Sequence, residues 1–569
     1  MSDRHLSSWP PSVPRDLQAP QTSLWTNLEN AAAQHPDRAC LVFYDTTLTY
    51  REVQGESERL AGYLQQVCGV KKGDRVGIYM QNSPQFVIAY YAILRANAVV
   101  VPVNPMNLTN EVRYMMEDSG AKVLFASQEL AQNVLPLVTE QPHQPRKPLE
   151  HVVFSAYSDY VRKATDLVIP DFVRAPRQSF SGQGVVAWAD ALARDLKPGE
   201  LTTGPEDLCV IPYTSGTTGN PKGCMHTHRS VMHTTVAAPE WFPKSEAYND
   251  CILCVLPLFH VTGMQNSMNS ALYSAATIVI LPRWDRKVAA ELIQRYKVTG
   301  WTAVPTMVVD LLSSPDIDKY DLSSVKTMGG GGAAMPEAIA QKLQDLCGLT
   351  YLEGYGLSET IAPTHINPPH KPKKQCLGIP IFGVDSRVVD PQTLKELGPN
   401  EVGEIITHGP QVFEGYWNKP EANRECFVEI DGKRFFRTGD LGRVDEDGYF
   451  FLVDRLKRMI NASGFKVWPA EVEAMLYAHP AVQEAVIIGT RDARRGESVK
   501  AVVVPKAGME DKVDEKSFIE WCQANMAAYK VPRSVEFVDS LPKTGSGKIM
   551  WRALQEKEDT RLAEQQAQQ

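Results

Sequence analysis

The most constraining stretch of this chain is Tyr213-Thr214-Ser215-Gly216-Thr217-Thr218-Gly219-Asn220-Pro221-Lys222-Gly223. The apolar run Leu208–Pro212 before it reads as a strand, and Cys224–His233 after it reads as the start of a helix. A strand, a glycine-hydroxyl loop and a helix in that order suit a phosphate. Glycines let backbone N–H groups approach an anion, and hydroxyls and a lysine add donors and charge. The loop is not the common P-loop signature, which needs Gly before the Lys and Ser or Thr after it. Here Pro221 precedes Lys222 and Gly223 follows it. The bland alternative is a flexible polar surface loop.

Around the loop, helical and strand patterns alternate. Helices are predicted over Ser23–His35, Tyr50–Val67, Pro84–Arg95 and Asn110–Ser119. Strands are predicted over Ala39–Phe43, Thr47–Thr49, Asp74–Met80, Val99–Val103 and Lys122–Phe125. That alternation predicts an α/β domain with a largely parallel sheet. Residues 140–206 are less regular; Gln141–Arg146 is proline-rich and Arg177–Gly184 is Ser-, Gly- and Gln-rich, and both read as loops of the same domain. With 569 residues the chain exceeds one core, so at least two domains are expected. A net charge of −8 argues against non-specific nucleic-acid binding. The longest clean apolar run, Phe86–Leu94, is too short for a membrane span, and Met1–Arg15 lacks the apolar core of a signal peptide. Ten cysteines are too sparse for a disulfide scaffold and fit a reduced cytosol. Cys251 and Cys254 lie in a buried-strand pattern with no second pair nearby, so core packing is expected there rather than a metal.

Further on, Val325–Met328 reads as a strand that ends in Gly329-Gly330-Gly331-Gly332-Ala333-Ala334-Met335-Pro336. Gly329-x-Gly331-x-x-Ala334, with Glu353 beyond, partly matches a dinucleotide fingerprint; backbone making room for a flat ring or an acyl chain is an equal reading. In Tyr351–Thr360 the glycines flanking Tyr355 should leave its ring uncovered, and Glu359 and Thr360 carry hard oxygens of the kind Mg2+ prefers. Residues 385–453 carry short runs broken by turns and read as a small antiparallel sheet. The charged Asp454-Arg455-Leu456-Lys457-Arg458 reads as a linker. A small α+β region follows and ends in Pro542–Ile549, with Lys548 in a Gly-Ser-Gly setting; the residues after Arg552 read as a frayed tail.

Six motifs in this order, Tyr213–Gly223, Leu256–Gly263, Gly329–Pro336, Tyr351–Thr360, Thr438–Glu473 and Pro542–Lys548, make the chain resemble the AMP-forming acyl-CoA synthetases over residues 25–555. The resemblance implies a large N-terminal domain of stacked α/β sheets plus a small antiparallel sheet or barrel (1–453). It also implies a hinge (454–458) and a small mobile α+β C-terminal domain (459–569). The implied reaction is a carboxylate attacking the α-phosphorus of Mg·ATP to give an acyl-adenylate, which then passes to the thiol of coenzyme A.

The resemblance assigns Thr214, Ser215, Gly216, Thr217, Thr218 and Lys222 to the β/γ-phosphates. Gly331, Ala333 and Tyr355 go to adenine, Asp440 and Arg455 to ribose, and Thr360 to the α-phosphate. Glu359 is the Mg2+ ligand, joined by Thr218. Lys548 bridges carboxylate and phosphate in the first step; with Lys222, Thr214 and Glu359 it forms the implied catalytic set. Lys457 is the hinge, and Ser463, Gly464 and Lys466 face the CoA side. Candidate acyl walls are Trp241, His260, Val261, Gly263, Met264, Val304, Gly329 and Gly330, with His260 in binding or gating rather than acid–base chemistry.

The Thr438–Glu473 stretch resembles the fatty acyl-CoA synthetase signature, so a medium- to long-chain fatty acid leads. Aryl and short sulfur-containing acids, a carrier-protein loading ligase, an adenylate-forming oxygenase and a non-catalytic nucleotide-binding regulator stay open. The implied co-substrates are ATP and CoA, with Mg2+ as cofactor. No nucleic-acid partner is expected. The implied location is the cytoplasm, free or peripheral at a membrane, and a homodimer is the commonest prior.

Overall fold

The computed structural model describes residues 3–139, 148–214, 220–242, 250–331, 335, 337–455, 458, 460–462, 465–492, 496–510, 512–544 and 549–567. The chain forms two compact units, Met1–Asp385 with Thr407–Phe436, and Ser386–Ile406 with Arg437–Gln569.

The α/β class expected from the alternation holds. The first unit contains two large sheets. One has nine strands in the order Ile379–Pro380, Ala362–Ile366, Tyr351–Leu357, Thr327–Gly330, Gly300–Thr302, Cys251–Cys254, Thr277–Ile280, Ala39–Phe43 and Thr46–Thr49. Its middle is parallel and its two margins are antiparallel. The second runs Gly415–Tyr416, Lys222–Thr227, Leu208–Val210, Val99–Val103, Arg75–Tyr79, Val123–Ser127, His151–Ser155 and Val185–Ala187, with Tyr213–Thr214 paired onto Lys222–Thr227.

The helix Pro84–Arg95 is the centre of the core. Ser83 Oγ accepts from Phe86 N–H at 3.2 Å and Pro84 opens the first turn, a start signal readable in the sequence. Every residue from Pro84 to Leu94 is buried. Its apolar side chains share one cluster with Val76, Ile78 and Val100 of the second sheet and Leu41, Val42, Leu253 and Val279 of the first. Val99, Val101 and Val103 pack into a separate cluster with Val112, Met116 and Val134. Both faces of the strand Val99–Val103 are therefore covered, which explains why four of its five residues are valine and none is polar. Cys251 and Cys254 are buried in a central strand, as expected of core residues. Among the described residues no helix is long and apolar enough to cross a membrane.

Several local expectations need correction. Cys224–His233 does not begin as a helix. Lys222–Thr227 is a strand, because Cys224 pairs with Tyr416 and His226 with Val210, and the helix His228–Trp241 starts only after Thr227 caps it. Within 140–206, Arg177–Gly184 is loop, as read, Gln141–Arg146 lies outside the described residues, and the irregular region also supplies His151–Ser155 and Val185–Ala187 as successive parallel strands of the second sheet.

The antiparallel strands expected between 385 and 453 do form. Lys433–Val444 passes from the first unit into the second. In the first unit Lys433–Phe436 pairs with Phe427–Ile430; in the second Asp440–Val444 pairs with Phe450–Arg455. The second unit also holds a sheet in the order Phe465–Val467, Ile460–Ala462, Gly496–Pro505 and Val482–Asp492, with Ser534–Phe537 on Gly496–Pro505. Its tail is not frayed. Trp551–Ala567 is helical, and Glu558 on it is 3 % exposed and hydrogen-bonds Thr490 and Lys500.

Candidate active site

The flanks of the phosphate loop are tied down by distant residues. Tyr213–Thr214 pairs antiparallel with Lys222–Gly223, so the chain leaves and re-enters at one place. On the helix Thr109–Ser119, Tyr114 donates its hydroxyl to Pro221 O at 3.1 Å, and Asp118 Oδ2 accepts from Tyr213 Oη at 2.7 Å. Asp118 Oδ1 also takes Lys419 Nζ at 2.8 Å, and its carbonyl takes Trp417 Nε1 at 2.9 Å. Gly223 is needed for close approach: a Cβ there would stand 2.6 Å from Ile211 Cγ2. Ser215, Gly216, Thr217 and Thr218 lie outside the described residues. Thr214 and Lys222 lie at the base of the loop.

Lys222 points to a second predicted residue. Its ammonium is 5.0 Å from the ring centroid of Tyr416, and Tyr416 donates its hydroxyl to Glu359 Oε1 at 2.7 Å. Glu359 is 8 % exposed, and its carbonyl accepts from Phe413 N–H at 2.9 Å. One residue earlier, Ser358 O receives a hydrogen bond from His226 Nε2 at 2.7 Å. Burial pushes His226 down to about 4, so the ring is neutral at pH 7 and the nitrogen facing the carbonyl carries its proton. Thr360 is fully buried; its hydroxyl donates toward Ala362 O at 2.9 Å and accepts from Leu357 N–H at 2.9 Å. That hydroxyl therefore shapes the turn that presents Glu359.

The glycine run has a steric cause. A Cβ on Gly329 would meet Leu352 O at 2.5 Å, on Gly330 Ala303 O at 2.0 Å, and on Gly331 Gly354 O at 2.4 Å. Neighbouring strand backbones, rather than a flat ligand, require glycine at these three positions. The dinucleotide reading also fails at Glu353, whose carboxylate is buried and accepts from Met335 N–H at 3.0 Å and Cys376 N–H at 3.1 Å. Tyr355 is not uncovered: it is 9 % exposed, with His365 opposite it across the strand pair and the ring centroids 5.6 Å apart. Ala333 is outside the described residues.

The proposed acyl walls fall into separate neighbourhoods. Val261 and Met264 are buried in the main core, and Gly263–Asn269 is a π-helix, a local widening common at functional sites. Gly263 lies so close to Leu256 and Pro257 that a Cβ would meet Pro257 O at 2.4 Å. His260 opens this turn, its carbonyl accepting from Met264 N–H at 2.9 Å. Val304 precedes the helix Pro305–Leu312, and Ala303 N–H bonds Gly329 O at 2.9 Å, which brings Val304 beside Gly329 and Gly330. Trp241 packs elsewhere. It is fully buried edge-on to Trp9 (4.9 Å) and Phe382 (5.7 Å), with Nε1 on Asn367 O at 3.3 Å.

In the second unit, Asp440 is 2 % exposed and its N–H bonds Thr438 Oγ1 at 3.0 Å. Antiparallel register sets Asp440 directly opposite Arg455, joining the two residues expected at ribose. Lys466 lies on the strand Phe465–Val467, opposite Asn461. Lys457, Ser463, Gly464 and Lys548 are outside the described residues. Lys543 bridges to Ile549 across the segment that carries Lys548.

A magnesium ion takes one or two carboxylates and completes its shell with phosphates and water. Glu359, a buried hard-oxygen donor near the lysine of the phosphate loop, fits that pattern. Among the described residues no group of three or more His, Cys, Asp and Glu could hold a metal by itself. Sequence reasoning missed Tyr416, His226 and Asp118, whose partners lie far away in the chain.

Residues 28–417 match the AMP-binding enzyme family and residues 471–548 its C-terminal domain. The chain is 35 % identical over 559 residues to a long-chain-fatty-acid–CoA ligase of Bacillus subtilis, covering 97 % of this chain and 98 % of the relative. It is 34 % identical over 552 residues to a feruloyl-CoA synthase of Amycolatopsis, again covering 97 % and 98 %. The crystal structure of the anthranilate CoA ligase AuaEII in complex with anthranoyl-AMP superposes with a TM-score of 0.82 at 26 % identity, over 96 % of this chain and 99 % of that one.

Proposed function

Because this chain belongs to the AMP-binding enzyme family and is an adenylate-forming acyl- or aryl-CoA ligase, we propose that its acid is a medium- to long-chain fatty acid. The observation that carries the chemistry is the cluster Lys222–Tyr416–Glu359. An ammonium and a carboxylate are held on one aromatic residue, at the exit of a glycine-hydroxyl loop.

In the first step an oxygen of the substrate carboxylate forms a bond to the α-phosphorus of ATP, and the bond from that phosphorus to the bridging oxygen breaks, releasing pyrophosphate. Thr214, Ser215, Gly216, Thr217, Thr218 and Lys222 hold the β- and γ-phosphates, where backbone donors and a cation offset charge that grows on the leaving group. Glu359, with Thr218, holds Mg2+, which supplies further neutralisation of that charge. Gly331, Ala333 and Tyr355 border adenine, and Asp440 and Arg455 the ribose. Thr360 shapes the Glu359 turn; a contact to the α-phosphate would require its hydroxyl to leave that turn. Lys548 steadies the two reacting anions against each other.

In the second step the thiolate sulfur of CoA attacks the acyl carbon and AMP departs. Residues 454–458 form the pivot between steps, with Lys457 at its centre, and Ser463, Gly464 and Lys466 face the incoming thiol. Gly263 and Met264 on the widened helix, with His260, Val261, Val304, Gly329 and Gly330, line the acyl side. The buried apolar character of Val261 and Met264 favours an alkyl chain. Trp241 closes the region where the N-terminal segment docks. An aryl acid is the second reading, favoured by the near-equal identity to the feruloyl enzyme.

The test is pyrophosphate release over straight-chain acids of graded length, ferulate and anthranilate, with and without CoA. The highest kcat/KM should fall on a medium- or long-chain acid, with CoA-dependent AMP formation and no oxygen uptake. A clear preference for ferulate or anthranilate would replace the fatty-acid reading by the aryl one.

A further inference from the structure

Tyr416 sits between two groups that carry opposite charge and belong to different tasks. Its ring lies under the Lys222 ammonium at 5.0 Å and its hydroxyl donates to Glu359 Oε1 at 2.7 Å. The residue itself is clamped. Tyr416 N–H donates to Asn423 Oδ1 at 2.6 Å, Asn423 Nδ2 returns a bond to Tyr416 O at 3.0 Å, and Phe413 packs edge-on at 4.9 Å. Strand register places Tyr416 opposite Cys224, two residues beyond Lys222. Glu359 is held in turn by Phe413 N–H on its own carbonyl and by His226 on the carbonyl before it. The three side chains are therefore fixed relative to one another by backbone as well as by their own contacts.

Donating to a carboxylate shifts electron density from the hydroxyl into the phenol ring. That strengthens the negative ring face which attracts the ammonium. The two contacts are thus linked: what weakens the carboxylate as an acceptor also loosens the ring's hold on the lysine. A divalent cation on Glu359 draws off carboxylate charge. The ammonium of Lys222 then has less reason to stay on the ring and more to meet a phosphate.

From this geometry we infer that Tyr416 is a positioning residue that couples cation binding at Glu359 to phosphate binding by Lys222. The inference rests on the reading of Glu359 as the metal ligand given above. Tyr416 aims the Glu359 carboxylate through one oxygen and stores Lys222 until the cation arrives.

The test is calorimetric ATP binding by the full chain with and without Mg2+, in the wild type and in Tyr416→Phe, Glu359→Gln and Tyr416→Leu. Tyr416→Phe keeps the ring and loses the hydroxyl. The gain in ATP affinity on adding Mg2+ should shrink by about tenfold, the worth of one hydrogen bond to a charged group, while Mg2+-free ATP binding changes by less than about threefold. Tyr416→Leu also removes the ring, so Mg2+-free affinity should move as well, and pyrophosphate binding with it. Glu359→Gln should abolish most of the Mg2+ gain; if it does not, the metal-ligand reading is what fails. If Glu359→Gln abolishes the gain and a folded Tyr416→Phe retains it in full, the coupling fails while the ligand reading stands. Equal losses by Tyr416→Phe with and without Mg2+ would also overturn the coupling, since they would mark a general packing role.

Discussion

Replacing Glu558 by Gln should loosen the C-terminal helix Trp551–Ala567 without touching any apolar contact. Glu558 Oε2 accepts from Lys500 Nζ at 2.8 Å, and Oε1 accepts from Thr490 Oγ1 at 2.8 Å and from Arg561 at 2.7 Å. The Arg561 bonds, then those of Lys500 and Thr490, outweigh burial and hold its carboxyl down to about 2 from 4.5. At about 1.4 kcal/mol per tenfold, that difference corresponds to roughly 3 kcal/mol. Arg561 is 48 % exposed, so water and salt screen its share, and about 2 kcal/mol is the working figure. Lys500, its side chain 9 % exposed, keeps Glu536 at 2.7 Å in the variant, which prevents the larger loss of a fully orphaned buried charge.

Amide hydrogen exchange of residues 551–567 in the full chain reads this directly. At pH 7 protection in the variant should fall by about 30-fold, the equivalent of about 2 kcal/mol. Because the folded carboxyl titrates below its unfolded value, the stabilisation is complete above pH 4.5 and is lost as the pH falls toward 2. The ratio of wild type to variant should therefore hold between pH 5 and 7 and contract on acidification below 4.5. A ratio under about threefold at pH 7, or one that ignores acid, would refute the claim that this buried carboxylate docks the helix. The outcome bears on the role proposed for Lys548, because the helix begins three residues after it.

Three further predictions concern the site. Asp118→Asn removes the charge facing Lys419 and weakens the acceptor for Tyr213; the KM for ATP should rise about tenfold, with the KM for the acid unchanged, and stability should drop by about 1–2 kcal/mol in urea titration. An equal rise in both KM values would place Asp118 in general packing. Lys548→Ala should abolish pyrophosphate release yet still yield thioester from supplied acyl-adenylate, measured by AMP release; equal loss of both steps would remove the role given to Lys548. Lys457→Pro should stiffen the pivot, leaving pyrophosphate exchange intact while thioester formation fails, and undiminished thioester formation would move the pivot elsewhere.

What could be read from the sequence was local. Ser83-Pro84 followed by an unbroken apolar run announces the helix Pro84–Arg95, because cap and burial pattern are contained in neighbouring residues. The Tyr44-Asp45 turn, where both residues take positive φ, 45° and 63°, is local in the same way, since it joins two strands adjacent in the chain. Cys224–Thr227 reads as the start of a helix in isolation but is strand, because its partners, Leu208–Val210 and Gly415–Tyr416, supply hydrogen bonds from outside the window. The tail helix carries no periodic signal because only Trp551 and Leu554 at its start pack on apolar residues, and beyond them it is docked by the polar bonds of Gln555 to Gly489 and of Glu558 to Thr490 and Lys500. The glycine run shows a subtler limit. Permissive backbone was legible, but whether a ligand or a neighbouring strand demanded it depended on where Leu352, Ala303 and Gly354 would lie.

These failures share a physical cause that also bears on the site. A residue proposed to meet the substrate is recognisable because its chemistry is restricted: a loop lysine, an acid on a turn, a tyrosine between glycines. A residue that aims it needs only one polar atom in the right place, and many sequences can supply one. Tyr416 reaches Glu359 across 57 residues and Asp118 reaches Tyr213 across 95. Closing so long a loop costs little more than closing a short one, since the entropy grows only with the logarithm of length. Chain separation is therefore no guide to which groups support a catalytic side chain. It follows that a substitution at Tyr416, His226 or Asp118 should alter function without altering any motif, and that comparing motifs alone would pass such a variant as intact.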